Sequence, residues 1–128
     1  MSNLPEFDVT CLDDRKIQYE VVNDGSMISI IFPSWKLPPG YDKSESSLLI
    51  RLAPGYPDVP PDMWWFCPPV QRIDGQPINA TQAVETYLGR TWQRWSRHFS
   101  SGQWCSGIDS LESFLVLIQN ELERCRMR

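Results

Sequence analysis

The sequence predicts an α+β domain in which a four-stranded antiparallel meander packs against one C-terminal amphipathic helix. Short segments of alternating polarity, separated by turn residues, fill the first half of the chain, as is typical of consecutive antiparallel strands. Near the C-terminus, residues 109–128 repeat apolar side chains at the spacing of a helix. Such a helix must bury its apolar stripe, so we expect it to pack on one face of the sheet.

The strands are recognised by alternation of apolar and polar residues. Segment 15–22, for example, places Ile17 and Val21 on one face and polar side chains on the other. Asn23–Gly25 follows, and its tolerance of positive φ favours a hairpin turn. Prolines predict a loop over 33–46. The strands are expected at 15–22, 26–32, 47–53 and 62–66.

Helices are expected only in the second half of the chain. Residues 80–88 are predicted to form a short helix that ends at a glycine. The long C-terminal helix is expected to be capped by Asp109, with Glu112 three residues later as in a capping box. No helix is predicted over 4–14, because this segment contains Pro5 and lacks apolar periodicity.

Length and composition indicate a single domain spanning residues 1–128. Hydrophobic residues make up 41% and charged residues 22%, which is enough apolar material for a core. A net charge of −4 argues against nucleic acid as the main partner, because nucleic-acid-binding domains are usually basic. No apolar run is long enough to cross a bilayer, and the N-terminus lacks a signal pattern. A cytoplasmic location is therefore predicted, with no membrane partner.

The chain has four cysteines and one histidine, His98. Cys11, Cys67, Cys105 and Cys125 are far apart in sequence, whereas a structural zinc site needs ligands in close pairs. No metal site is therefore predicted. Cytosolic thiols stay reduced, so each cysteine is either a small buried hydrophobe or a reactive thiol.

The order of motifs resembles that of the ubiquitin-conjugating enzyme (UBC-like) superfamily. The most specific match is Tyr-Pro-x-x-Pro-Pro at Tyr56–Pro61, before an aromatic strand. Trp104, followed by the helical segment Phe114–Gln119, is similar to the family's tryptophan and the helix after it. The stretch Trp92–His98 further resembles a bacterial branch called prokaryotic family E. The resemblance covers Lys16 to Leu122.

Three features depart from the family's pattern, and one of them is that its N-terminal helix is not evident over 4–14. The family's His-Pro-Asn motif has no counterpart in this chain. The family's nucleophilic cysteine lies shortly before its tryptophan, but here the stretch before Trp104 holds His98 and no cysteine. The resemblance therefore implies the fold more firmly than it implies which residues react.

The resemblance also implies a function. It predicts an enzyme that carries a bacterial ubiquitin-like protein as a cysteine thioester and passes it to an acceptor amine. The implied partners are that ubiquitin-like protein, an activating enzyme and a JAB-type deubiquitinase-like protein, in a pathway associated with antiphage defence. No cofactor is expected, because the activating enzyme spends the ATP.

Two thiols are candidates for the nucleophile. Cys67 closes the aromatic strand, and His98 from the later loop would act as its base or lower its pKa. The alternative nucleophile is Cys105, which stands beside a tryptophan and just before a helix N-terminus, where the helix dipole favours a thiolate. Cys11 and Cys125 are expected to be structural.

A different hypothesis is that no cysteine is catalytic and the chain is a binding scaffold of the same fold. Asn79 is a further candidate, either as an oxyanion-stabilising amide or as an ordinary loop or helix-cap residue. In the scaffold hypothesis the tryptophans would form a docking surface, because Trp is favoured at binding hot spots. The residues concerned are Trp64, Trp65, Trp92, Trp95 and Trp104.

Segment 90–98 combines arginines with tryptophans. Bases stacked on the tryptophans and phosphates held by the arginines would make it a site for single-stranded nucleic acid. The acidic balance of the chain favours the other interpretation, in which the arginines pair with carboxylates and stack on the tryptophans. The sequence therefore predicts no nucleic-acid partner.

Overall fold

The structure is a computed structural model that describes residues 4–99 and 102–127. Six strands form one antiparallel sheet in the order β1-β2-β3-β4-β6-β5. The predicted α+β class is confirmed, but the sheet has six strands rather than four. The elements are α1 (Glu6–Asp14), β1 (Glu20–Asp24), β2 (Met27–Lys36), β3 (Glu45–Leu52), β4 (Trp64–Cys67), β5 (Val84–Tyr87), β6 (Arg90–Trp95) and α2 (Leu111–Cys125).

Helix α1 was not predicted, and the expectation that 4–14 contains no helix is wrong. Pro5 immediately precedes the helix, and its carbonyl accepts hydrogen bonds from the N–H groups of Asp8 and Val9. A proline there removes no intrahelical hydrogen bond, because the first N–H groups of a helix have no partner within it. Of its nine residues only Asp8 and Leu12 are buried, so the apolar periodicity is weak.

The predicted helix over 80–88 is also wrong. Strand β5 pairs with β6, and the two strands are connected by Leu88 and Gly89, whose φ angles are 54° and 75°. Positive φ at both central residues is the signature of a two-residue type I′ hairpin, whose twist matches that of the strands it joins. The β-branched and aromatic residues of β5 suit a strand once β6 is available for pairing.

The sheet has two apolar faces of unequal size. Helices α1 and α2 cover one face, where most of the core lies. A smaller cluster of Ile31, Leu49, Trp65 and Trp92 is buried on the other face. Tyr87 of β5 packs against this second cluster, and its ring lies 5.4 Å from that of Trp65 between centroids.

The proposed tryptophan docking surface is contradicted by the burial of its members. The four strand tryptophans are 3% exposed or less, and Trp104 is half-buried. Their rings instead build the two apolar clusters, because a pleated sheet with two covered faces can bury aromatic side chains on both sides. Trp64 and Trp95, for example, stack at a centroid distance of 6.2 Å.

Helix α2 buries the predicted apolar stripe, but it begins later than expected. Ser110 is the N-cap residue, and Ser113 completes the capping box in place of Asp109 and Glu112. Strand β2 also extends to Lys36 through part of the predicted proline loop, with a register irregularity after Phe32. Among the described residues, no helix combines the length and the apolar character that a membrane span requires.

Candidate functional site

The two predicted site residues Cys67 and His98 lie at opposite ends of β4. His98 follows β6, and because Trp95 pairs with Trp64, the chain beyond β6 lies beside the start of β4. There the Nδ1 atom of His98 is 2.7 Å from Oδ1 of Asp62. Cys67 ends the strand, and the four residues of β4 span roughly 10 Å. The structure therefore does not bring the imidazole to this thiol.

Cys67 is held firmly by the sheet. It pairs directly with Ser47 of β3, whose hydroxyl donates to the carbonyl of Pro33 at 3.0 Å. Its side chain packs against the smaller apolar cluster and is half-buried. The thiol is thus fixed in position and partly accessible, with an apolar surface on one side.

Cys105 lies in a loop that is fastened to the Tyr56–Pro61 turn. The indole N–H of Trp104 donates to the carbonyl of Pro57 at 2.8 Å, and the hydroxyl of Ser106 donates to Asp58. Cys105 itself is exposed, and its backbone N–H donates to Asp109 at 2.8 Å. The loop therefore presents this thiol to solvent from an anchored backbone.

His98 shares its end of the sheet with the Cys105 loop. Phe99, which follows His98, and Trp104, which precedes Cys105, have ring centroids 5.5 Å apart. A carboxylate at Nδ1 favours the tautomer in which Nε2 is the free base. The ring contact thus brings the segment that carries His98 against the loop that carries Cys105, a grouping that sequence spacing did not predict.

The other two thiols interact with carboxylates. The Sγ atom of Cys11 donates to Oε2 of Glu112 at 3.0 Å. Burial, followed by this carboxylate, raises the pKa of Cys11 to about 11, so little of it is thiolate at neutral pH. Cys125 lies at the end of α2, with its sulfur 3.8 Å from both Arg97 Nη2 and Glu121 Oε2.

The arginines of segment 90–98 make the pairings that the sequence favoured. Arg94 pairs with Glu85 at 3.4 Å, and Arg97 pairs with Glu121. Arg90 lies over a tryptophan ring, with its guanidinium carbon 4.5 Å from the centroid of Trp92. These three charges therefore anchor strands and helix α2.

Asn79 lies in the loop before β5. Its side chain is exposed, and its carbonyl accepts a hydrogen bond from Arg97 at 3.0 Å. The residue therefore contributes a backbone acceptor to the anchoring of Arg97.

A buried carboxylate that sequence reasoning missed connects the proline turn to both helices. Asp8 is fully buried and accepts a hydrogen bond from the Tyr56 hydroxyl at 2.7 Å. Its other oxygen accepts from the N–H of Leu111, the first residue of α2, at 3.2 Å. Burial raises the pKa of Asp8. The one sequence signal for this role is an acidic residue in the first turn of a helix, which is a common feature.

The comparison with known protein families covers most of the chain. Residues 4–125 match the family described as Prokaryotic E2 family E. The chain belongs to prokaryotic E2 family E. Comparisons with curated proteins and with solved structures gave no match. Membership in family E indicates an E2-like role in ubiquitin-like modification, for which the partners are, in general, a ubiquitin-like protein and an activating enzyme.

Proposed function

We propose that this family E protein carries a ubiquitin-like protein as a thioester on Cys67 and passes it to an acceptor amine. Its sheet and two helices would then be a six-stranded variant of the UBC-like fold. The observation that carries the choice of residue is the position of Cys67, at the end of a central strand and half-buried. A sheet ladder holds such a thiol in one place while its open side stays accessible to a donor.

The proposed chemistry is two acyl transfers. The thiolate of Cys67 attacks the thioester carbonyl on the activating enzyme, forming a new C–S bond as the old one breaks. The departing sulfur leaves as a thiolate, and the proton of Cys67 goes to solvent. An amine nitrogen then attacks the carbonyl carbon, and the C–S bond breaks as the sulfur of Cys67 leaves as a thiolate. The amine loses a proton to solvent, and an amide remains.

Cys105 is the rival nucleophile, and it is supported by a different observation. This thiol is exposed, and the Asp62–His98 pair lies at the same end of the sheet. A histidine oriented by a carboxylate is the usual activator of a nucleophile. If Cys105 reacts, replacing His98 with Gln should slow the reaction, because the general base is lost.

The decisive experiment is reconstitution with the activating enzyme, the ubiquitin-like protein and ATP. The parent protein should form an adduct that thiol reductant removes. Cys67→Ser should instead give a reductant-resistant oxyester or no adduct, whereas Cys105→Ser and the matched control Cys11→Ser should behave like the parent. A normal adduct on Cys67→Ser, together with its loss in Cys105→Ser, would transfer the role to Cys105.

A catalytically inactive scaffold is the second candidate function. It is favoured by the apolar surroundings of Cys67 and by the separation of this thiol from His98. The same reconstitution distinguishes the two functions. A scaffold would bind the ubiquitin-like protein or the activating enzyme in calorimetry, yet no variant and no parent protein would form an adduct.

The cellular setting is part of the proposal. We place the protein in the cytoplasm, acting as a single domain alongside a JAB-type deubiquitinase-like protein that would remove the modifier. Defence against phage is the proposed process. Plaque counts in cells that express its partners with either the parent protein or its Cys67→Ser variant would test this, because only a catalytic role makes protection depend on the thiol.

A further inference from the structure

We propose that the outer edge of β5, together with the cavity beside it, binds an extended, uncharged peptide segment of a partner protein. This inference does not depend on thioester chemistry. It rests on three features of the described residues: the hydrogen-bonding pattern of β5, the composition of the cavity and the pairing of the neighbouring charges.

Strand β5 is the last strand of the sheet and has one open edge. The N–H of Arg94 donates to the carbonyl of Ala83 at 2.9 Å, which makes these residues a hydrogen-bonded pair just before β5. Because such pairs alternate in an antiparallel ladder, Glu85 and Tyr87 also bond to β6. The N–H and C=O groups of Val84 and Thr86 therefore point away from β6, towards the open edge.

A cavity of about 370 Å³ lies where β5 begins. Val84 is among its lining residues, and this side chain is 61% exposed. The remaining walls come from segment 69–78, the approach to β5 and one residue of β6. No charged side chain lines the cavity. Besides Val84, the lining consists of amide, hydroxyl and apolar side chains together with Gly75: Pro69, Val70, Gln71, Gln76, Pro77, Ile78, Thr81, Gln82 and Gln93.

The nearest charges in sequence already have partners. Arg72 forms an ion pair with Asp74 at 2.7 Å, and Arg94 pairs with Glu85 at 3.4 Å. Glu85 also accepts from the indole N–H of Trp65, on the sheet face opposite to Val84. A charged peptide side chain in the cavity would lose water without gaining a counter-charge, so neutral side chains are favoured.

The geometry also indicates the length and pattern of the peptide. Two outward-facing residues, Val84 and Thr86, allow pairing with a short strand of about five residues. Every second side chain of that strand would face the cavity, because successive side chains of a strand alternate between its faces. The expected partner segment is therefore short and extended, and it carries neutral side chains at every second position, where they face the cavity.

The test is a titration of ¹⁵N-labelled protein with the peptide acetyl-Gly-Thr-Val-Thr-Gly-amide, followed by amide chemical shifts. Saturable shifts are expected at Val84, Thr86 and the glutamines of the cavity. The peptide with glutamate in place of both threonines should bind at least roughly tenfold more weakly. Absence of saturable shifts, or shifts located elsewhere, would overturn the inference.

Two changes test the backbone pairing itself. Thr86→Pro removes an outward N–H that the ladder does not use, and proline is tolerated on edge strands. Binding should fall by about tenfold or more in this variant and stay unchanged in the control Thr86→Val. A peptide N-methylated at its valine and at both threonines should lose binding to the unaltered protein, because its three central N–H groups can then not pair with β5 in either strand direction. The test therefore stands even if the proline variant misfolds. Equal binding of the methylated peptide would refute strand addition.

Discussion

The largely buried carboxylate of Glu121 stabilises the fold by an amount that depends on pH. Its carboxylate accepts hydrogen bonds from Arg124 Nε at 2.9 Å and from Arg97 Nε, and the side chain is 16% exposed. The guanidinium of Arg124, followed by that of Arg97, lowers the pKa of Glu121 to about 2. We predict that Glu121→Gln destabilises the protein at pH 7 and removes part of its sensitivity to acid.

The size of the effect follows from the shift in pKa. A change from 4.5 to about 2 corresponds to about 3.4 kcal/mol of unfolding free energy. Because the Arg124 side chain is 67% exposed, solvent screens its share, and we expect about 2 kcal/mol. A carboxyl whose folded pKa is lowered stabilises the fold above its ordinary pKa of 4.5. That stabilisation is lost as the pH falls towards about 2, and more than half of it is gone by about pH 3.

The assay is urea unfolding of both proteins at pH 7 and pH 3, followed by tryptophan fluorescence. The difference in unfolding free energy between parent and variant should shrink by more than half at pH 3. Taking the difference removes the opposite contribution of Asp8, whose raised pKa is the same in both proteins. A difference that is equal at the two pH values would refute the ion-pair reasoning.

Two further predictions concern a shielded thiol and a close backbone contact. Cys11 should be alkylated by iodoacetamide at pH 8 about tenfold or more slowly than free cysteine, since its pKa is about 11; Glu112→Gln should speed the reaction measured by mass spectrometry, and an unchanged rate would contradict the role of that carboxylate. Gly40→Ala should lower the unfolding free energy by about 2 kcal/mol, because an added Cβ would lie 2.6 Å from a backbone oxygen near the C-terminus at a φ of +110°. The matched control Gly75→Ala, with a φ of +78° and open space around it, should lose only about 1 kcal/mol; equal losses would show that the contact does not matter.

The parts of the fold that sequence reasoning identified are those with strong local signals. The apolar stripe of α2 repeats over several turns, and the strands that became β1 to β4 alternate or are bounded by prolines. The Tyr56–Pro61 turn was also recognisable, because proline restricts the backbone whatever surrounds it. Helix α1 was missed because most of its side chains are exposed, so the apolar periodicity is weak. Its stability comes from packing against the larger core cluster.

For the candidate site, the sequence likewise shows some features and leaves others to the tertiary structure. The residue types were visible in the sequence, since a chain with four thiols and one imidazole offers few nucleophiles and one base near neutral pH. Their grouping was not, because it depends on which strands become neighbours. Pairing of β4 with β6 places His98 beside Asp62 and next to the Cys105 loop, at the other end of the strand from Cys67.

The sequence by itself determined the class of the fold, the position of its C-terminal helix and the resemblance that the family match confirmed. Each of these depends on periodicity or on a contiguous motif, both of which act over a few residues. Only the tertiary structure decided that 84–87 is a strand, that the strand tryptophans are buried and that Asp8 ties the proline turn to both helices. Those outcomes depend on partners that are distant along the chain, and a local pattern carries no information about them.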